Sequence, residues 1–178
     1  MEFSKLSKAV SHALRHEPWL YELELDEAGW VSINDLIAAL QLANPEWPIL
    51  TQNHISQMIS QSEKKRHELN NGQIRALYGH SLPQKLKAEL LKPPQILYHG
   101  TSPESAKQIK LTGLEPMSRQ YVHLSVDTAT ANEVGKRKSV KPTILSISAA
   151  SAFAGGVKFY RGNDLVWLAD FVPSDFIT

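Results

Sequence analysis

At 178 residues, of which 42% are hydrophobic and 21% charged, the chain is long enough for one large or two small folded units and too apolar to stay disordered. It contains no cysteine, which excludes disulfides, thiolate zinc sites and cysteine nucleophiles. Its formal net charge is +1, so there is no global polycation and any anion site must be local.

No run of about 18 apolar residues is present, and "MEFSKLSK" lacks the apolar segment of a secretory signal; a cytoplasmic protein without a membrane partner is expected. Phe3, Leu6, Ala9, Val10, Ala13 and Leu14 recur at helical spacing and predict a first helix that stops before Pro18. A second face of that helix carries Lys8, Ser11, His12 and Arg15, and its end sets Arg15 beside His16. After the turn "DEAGW", Ser32 with Asp35 resembles a capping box, and Ile33, Leu36, Ile37 and Leu40 form the stripe of a second helix. "TQNHISQMISQSEKK" repeats the pattern, with Thr51 as N-cap, Ile55, Met58 and Ile59 facing inward and His54 on the surface. "NNG" then separates two short β segments, in which Ile74, Ala76 and Tyr78 alternate with Arg75 and Leu77. Three helices and a hairpin are the order of a winged helix.

"HSLPQKLKAELLKPPQ" is proline-rich with little β character, so the boundary is expected near residues 81 to 95, giving lobes of 1–85 and 86–178. Beyond it, "ILYHGT", "YVHLSV", "TILSIS" and "LVWLADFV" read as strands. "SPESAKQIKLTG" reads as a helix with Ser102 capping, Pro103 in the first turn and Gly113 at the end, and "TATANEVGKRK" as another. "AGG" at Ala154 to Gly156 reads as a turn. The expected fold class is α+β.

Arg15, Arg66, Arg75 and Arg119 are the arginines placed at element ends and in the hairpin. Each alone reads as a solvated surface charge, because charged residues are mostly exposed. His99 in "LYHGT" and His123 in "YVHLS" occupy apolar strands, where a histidine is either a satisfied core residue or a hydrogen-bonding partner for ribose hydroxyls and phosphates. A metal site is not expected: there is no H-E-x-x-H, no carboxylate cluster and no cysteine. Glycine-rich phosphate loops are absent, and no acid pair stands out.

Taken in order, "LRH", "KKRHEL", "IRALYGHS", "LYHGT", "GLEPMSRQYVHLS" and "LVWLADFVP" resemble the RNA 2′-phosphotransferase family across nearly the whole chain. The resemblance implies a winged-helix-like RNA-binding lobe followed by an ADP-ribosyltransferase-type mixed β-sheet lobe that binds NAD. NAD is then a consumed co-substrate, the partner is RNA with an internal 2′-phosphate of the tRNA splice-junction type, and the chain acts as a monomer. The implied reaction has two steps: the 2′-phosphate attacks C1″ of NAD and releases nicotinamide, and the ribose O2″ then attacks phosphorus. Products are 2′-hydroxyl RNA and ADP-ribose 1″,2″-cyclic phosphate. The family's Arg-His-Arg-Arg catalytic set falls on Arg15, His16, Arg66 and Arg119, with Lys64 and Arg75 implied at the RNA and its phosphate. NAD contacts are implied for His99, Gly100, Thr101, His123, Leu124, Ser125 and Val166. The chain departs from the family pattern at His67, where phenylalanine is usual, at Leu77 and Tyr78, at Tyr121, and in "NDLVWL".

Arginine suits this chemistry. A phosphate monoester carries about 1.5 to 2 negative charges and needs positioning more than deprotonation. A guanidinium grips its oxygens bidentately, each charge-assisted bond contributing roughly 1.5 to 3 kcal/mol. In the second step the same arginines stabilise the charge that grows on the phosphorus oxygens, and His16 is suited to moving a proton. Two rival readings are an ADP-ribosyltransferase that leaves ADP-ribose on its acceptor, and a non-catalytic winged-helix module that binds duplex DNA. Val166 stands where many transferases of the first kind place a glutamate, and the third helix carries its lysines only at its end, against the second.

Overall fold

The computed structural model describes residues 2–178. It is an α+β protein that divides into two units, one reaching to Lys87 and the other running from Ala88 to Thr178, each with its own antiparallel sheet and core.

In the first unit, α1 (Phe3–Arg15) buries Leu6, Val10, Ala13 and Leu14, the predicted stripe. A 3-10 turn (Pro18–Tyr21) follows at the proline that stops the helix. Strand β1 (Val31–Ser32) leads into α2 (Ile33–Ala43), where the Ser32 side chain accepts from the Asp35 amide. Helix α3 (Gln52–Ser60) begins with a reciprocal cap: Thr51 accepts from the third-residue amide, and His54 Nδ1 accepts the Thr51 N–H at 3.1 Å. His54 therefore helps start the helix rather than merely coating it. Strands β2 (His67–Asn70) and β3 (Gln73–Ala76) pair around Asn71 and Gly72, whose φ values of 46° and 76° are the left-handed pair that an Asn-Gly hairpin turn requires. β3 is the centre of the β1-β3-β2 sheet, and Ile74 and Ala76 face the core. The strand stops at Ala76, so Leu77 and Tyr78 lie beyond the predicted alternation.

In the second unit the sheet order is β6-β4-β5-β8-β7. Its strands are β4 (Leu97–Thr101), β5 (Val122–Ser125), β6 (Thr143–Ile147), β7 (Phe159–Arg161) and β8 (Val166–Ala169). Helix α4 (Pro103–Thr112) has the Ser102 cap, Pro103 in the first turn and Gly113 at its end. Helix α5 (Thr128–Gly135) starts on an Asp127 cap and ends before the expected "KRK" extension. Its last residue is tightly packed: a Cβ on Gly135 would lie 2.6 Å from Pro142 Cβ and 3.1 Å from the Gly100 carbonyl carbon. A short α6 (Ala149–Ala154) precedes Gly155 and Gly156, so the "AGG" turn is the exit of a helix that the sequence did not reveal. Leu97, Val122, Leu124, Leu145, Phe159, Trp167 and Ala169 form the sheet's buried face, against Ala106 of α4 and Ala149 and Ala152 of α6.

Candidate functional site

In the first unit the site grows from the end of α1. The Arg15 carbonyl, one of those that a helix C-terminus leaves without an intrahelical partner, accepts the Ser81 N–H at 2.9 Å. One residue on, His16 caps the helix and its Nδ1 lies 2.8 Å from Ser81 Oγ. The Arg15 guanidinium turns toward the hairpin: Nη2 donates to the Arg66 carbonyl at 3.4 Å, and Cζ sits 5.2 Å from the centre of the Tyr78 ring. That carbonyl also accepts the Leu77 N–H at 2.9 Å, which ties the exit of β3 to the entry of β2. The Arg15 side chain thus meets the Arg66 backbone, although 51 positions separate the two arginines in sequence, and His16 follows Arg15 at the helix end.

Two buried imidazoles underlie this cluster. His67 bonds Ser11 on α1 (Nε2 to Oγ, 3.1 Å), and burial first, then the Arg15 and Arg66 charges and His80, push it down to about 3. His80 is pushed down to about 4 by burial, then by Arg15, His16 and Arg75, and its Nε2 is buried with no hydrogen-bond partner. Both rings are therefore neutral at pH 7 and add no repulsion beneath the arginines. The Ser11 hydroxyl explains how an imidazole is tolerated where the family pattern has phenylalanine, because a buried polar group needs a partner. Lys64 is exposed in the segment before β2. Arg75 is engaged differently: it pairs with Glu68 (Nε and Nη2 to Oε2, both 2.8 Å) and stacks on Trp30 at 4.5 Å. A phosphate at Arg75 would have to compete with that carboxylate.

In the second unit, the three predicted motifs fall on neighbouring strands. Ser125 of β5 stands opposite both Tyr98 of β4 and Val166 of β8, and residues directly opposite share a sheet face. His99 donates from Nδ1 to the His123 carbonyl at 3.0 Å. Burial lowers its pKa, the hydrogen bond opposes that shift, and Lys138 adds to it; with Nδ1 bonded, the neutral ring keeps Nε2 as an acceptor. Thr101 is fully buried with its Oγ1 unpartnered. Gly100 serves the packing of α5, since a Cβ there would lie 1.8 Å from the Ala131 carbonyl oxygen. Leu124 is core, and Ser125 is 6% exposed. Arg119 is exposed, in a turn closed by its N–H to the Pro116 carbonyl at 3.1 Å. Beside it in sequence, Tyr121 packs edge-on against Tyr160 at 5.1 Å, and Tyr160 donates to Asp170 at 3.0 Å. Asn163, in the divergent "NDLVWL" stretch, accepts the N–H groups of Leu165 and Val166 and so shapes the entry to β8.

Sequence reasoning did not single out Ser11, His80, Tyr78 or Ser81 as partners of the arginine–histidine cluster. Three of them, Tyr78, His80 and Ser81, lie together in "YGHS" just after the hairpin, while Ser11 lies on α1. Among the described residues no group of three or more histidines or acids could hold a metal ion, and no helix is long and apolar enough to cross a membrane.

The class of this α+β chain follows from what it is similar to, which is a set of transferases. A family model described as RNA 2'-phosphotransferase, Tpt1 / KptA family, matches residues 2–171. A relative from Acetivibrio thermocellus named probable RNA 2'-phosphotransferase is 52% identical, over 99% of this chain and 97% of its own. Relatives of the same name from Bacillus thuringiensis subsp. konkukian and Pyrococcus horikoshii are 55% and 38% identical, each over 98% of this chain and over 94% and 97% of their own. The chain belongs to the RNA 2′-phosphotransferase family.

Proposed function

We propose that this protein removes an internal 2′-phosphate from RNA, of the kind left at a tRNA splice junction, at the expense of NAD. In this reading the residues to Lys87 form a winged-helix-like RNA-binding lobe and those from Ala88 onward an ADP-ribosyltransferase-like lobe. A 2′-phosphate oxygen bonds to C1″ of NAD as nicotinamide leaves. The O2″ hydroxyl then bonds to phosphorus, the RNA 2′-oxygen departs and takes a proton, and ADP-ribose 1″,2″-cyclic phosphate is released. The protein acts as a monomer in the cytoplasm, without a metal.

The observation that supports the reading is the Arg15 guanidinium bonded to the Arg66 carbonyl beside His16 at the end of α1, close to imidazoles held neutral. Arginine forks orient the phosphate, and in the second step stabilise the charge that grows on it. Lys64 and Arg75 are assigned to the RNA and its phosphate, and Arg119 completes the catalytic set. Two polar groups of the second unit support assigning NAD to it. His99 offers an acceptor nitrogen, and the buried Thr101 hydroxyl lacks a partner, so ribose hydroxyls would complete polar groups that the fold leaves unsatisfied. Ser125 and Val166 share a face with Tyr98, the other side of the sheet from His99 and Thr101, and are assigned to NAD together with His123, Gly100 and Leu124.

Incubation with NAD and a 2′-phosphorylated oligonucleotide, beside a 5′-phosphorylated control, tests the proposal. Nicotinamide, 2′-hydroxyl RNA and the cyclic phosphate are expected from the first substrate only. Stable ADP-ribosylated RNA would instead indicate a transferase that stops after the first step, and duplex-DNA binding without NAD consumption would remove the enzymatic reading.

A further inference from the structure

We infer that Ser81 is a positioning residue for His16, holding its ring in the tautomer that exposes Nε2 for proton transfer; this rests on the proposed role of His16. Two contacts from one residue fix the arrangement. The Ser81 N–H is bonded to the Arg15 carbonyl at 2.9 Å, and its Oγ stands 2.8 Å from His16 Nδ1. The backbone bond sets where Ser81 lies relative to the end of α1, and the hydroxyl then sets how the imidazole is turned. Gly79, with φ 87° in the left-handed region, and buried His80 bring the chain back to the helix end just before Ser81.

The chemistry selects the direction of the bond. A histidine that takes and returns a proton at Nε2 must be neutral with its hydrogen on Nδ1, and after protonation Nδ1 still carries that hydrogen. A serine oxygen accepting from Nδ1–H satisfies both states with no rearrangement. A serine donating to Nδ1 would place the hydrogen on Nε2 and block it as a base. Ser81 Oγ is therefore the acceptor, and its own hydrogen points to solvent, which the exposure of Ser81 permits. Arg15 and His16 are consecutive, so the same latch also fixes the helix end from which the guanidinium departs.

The test combines nitrogen-15 NMR of the histidine rings with single-turnover kinetics on NAD and a 2′-phosphorylated oligonucleotide. In the wild-type protein near pH 8, His16 is expected to carry its hydrogen on Nδ1, and Ser81→Ala should lose that preference. This readout needs no activity; a wild-type ring protonated on Nε2 overturns the inference even if the proposed reaction fails. In the kinetics, Ser81→Ala is expected to slow the His16-dependent step by about 10- to 100-fold, the worth of one hydrogen bond to a charged group, with little change in KM. Ser81→Thr should restore most of the rate, and in a His16→Ala background Ser81→Ala should add nothing. Ser81→Ala matching wild type while His16→Ala is slow would overturn the inference and leave the function standing. His16→Ala matching wild type would overturn both the role of His16 and the latch.

Discussion

Arg15 is held by a directional contact, a guanidinium nitrogen on the Arg66 carbonyl, while its plane lies near the Tyr78 ring. A lysine would keep the charge but lose the fork and the stacking surface. Arg15→Lys is therefore expected to slow single-turnover dephosphorylation of a 2′-phosphorylated oligonucleotide by about 10- to 100-fold, as the loss of one charge-assisted bond implies. The imidazoles beneath it make stability depend on pH. His67 and His80 have folded pKa values near 3 and 4, below their ordinary 6.5, so the unfolded chain binds protons that the folded one refuses. Above about pH 6.5 both are neutral in the folded and the unfolded chain and add no pH dependence, and stability falls as the pH drops from there toward 4 and 3. At pH 5 the loss is about 2 kcal/mol for each histidine. Urea midpoints at pH 7 and pH 5 measure it, and His67→Phe should remove about half of the difference. At this scale short motifs mark Arg15, His16 and Arg66 as candidates in sequence, and the structure adds the bond from Arg15 to the Arg66 carbonyl. Ser11, Tyr78 and Ser81 were not, since His16 and Ser81 lie 65 positions apart and no local spacing records their meeting.

Helix α5 sits unusually close to β4, and two glycines make that possible. A Cβ on Gly100 would meet the Ala131 carbonyl oxygen at 1.8 Å, a backbone atom that cannot swing aside. Gly100→Ala must therefore push the helix off the strand that carries His99 and Thr101, and is expected to cost more than about 3 kcal/mol, the upper range for overpacking. Gly72→Ala is the matched control: nothing lies within 4 Å of its added Cβ, and only the positive φ of 76° is strained. It should cost about 1 kcal/mol, so thermal melts of the two variants separate crowding from backbone strain. The elements that the sequence revealed are those long enough for a period to register. α1, α2 and α3 each carry two turns or more of apolar stripe, and the hairpin is announced by Asn71 and Gly72. Strand β1 has 2 residues, β7 has 3 and α6 has 6, too few for alternation or helical spacing to stand out. The end of α5 was misjudged because the basic run after Gly135 favours helix locally, whereas the helix ends at Gly135.

Over the whole molecule, a net charge of +1 cannot hold RNA by its general field, so recognition has to come from a few placed cations. That distinction is measurable through salt, because each phosphate of single-stranded nucleic acid neutralised by a protein cation contributes about −0.7 to the slope of log affinity against log salt. If Arg15, Arg66 and Lys64 are the groups that meet the phosphates, three contacts give a slope near −2. Lys64 is exposed and flexible, a point charge without a fork, so it adds attraction rather than orientation. Lys64→Ala is thus expected to flatten the slope by about 0.7 and weaken binding evenly across RNA sequences, while the rate at saturating RNA changes little. Titration of a 2′-phosphorylated oligonucleotide over a range of salt concentrations reads all three quantities. A wild-type slope steeper than about −5 would mean that many more cations are engaged, and would place recognition on a broad basic surface instead of at the end of the first helix.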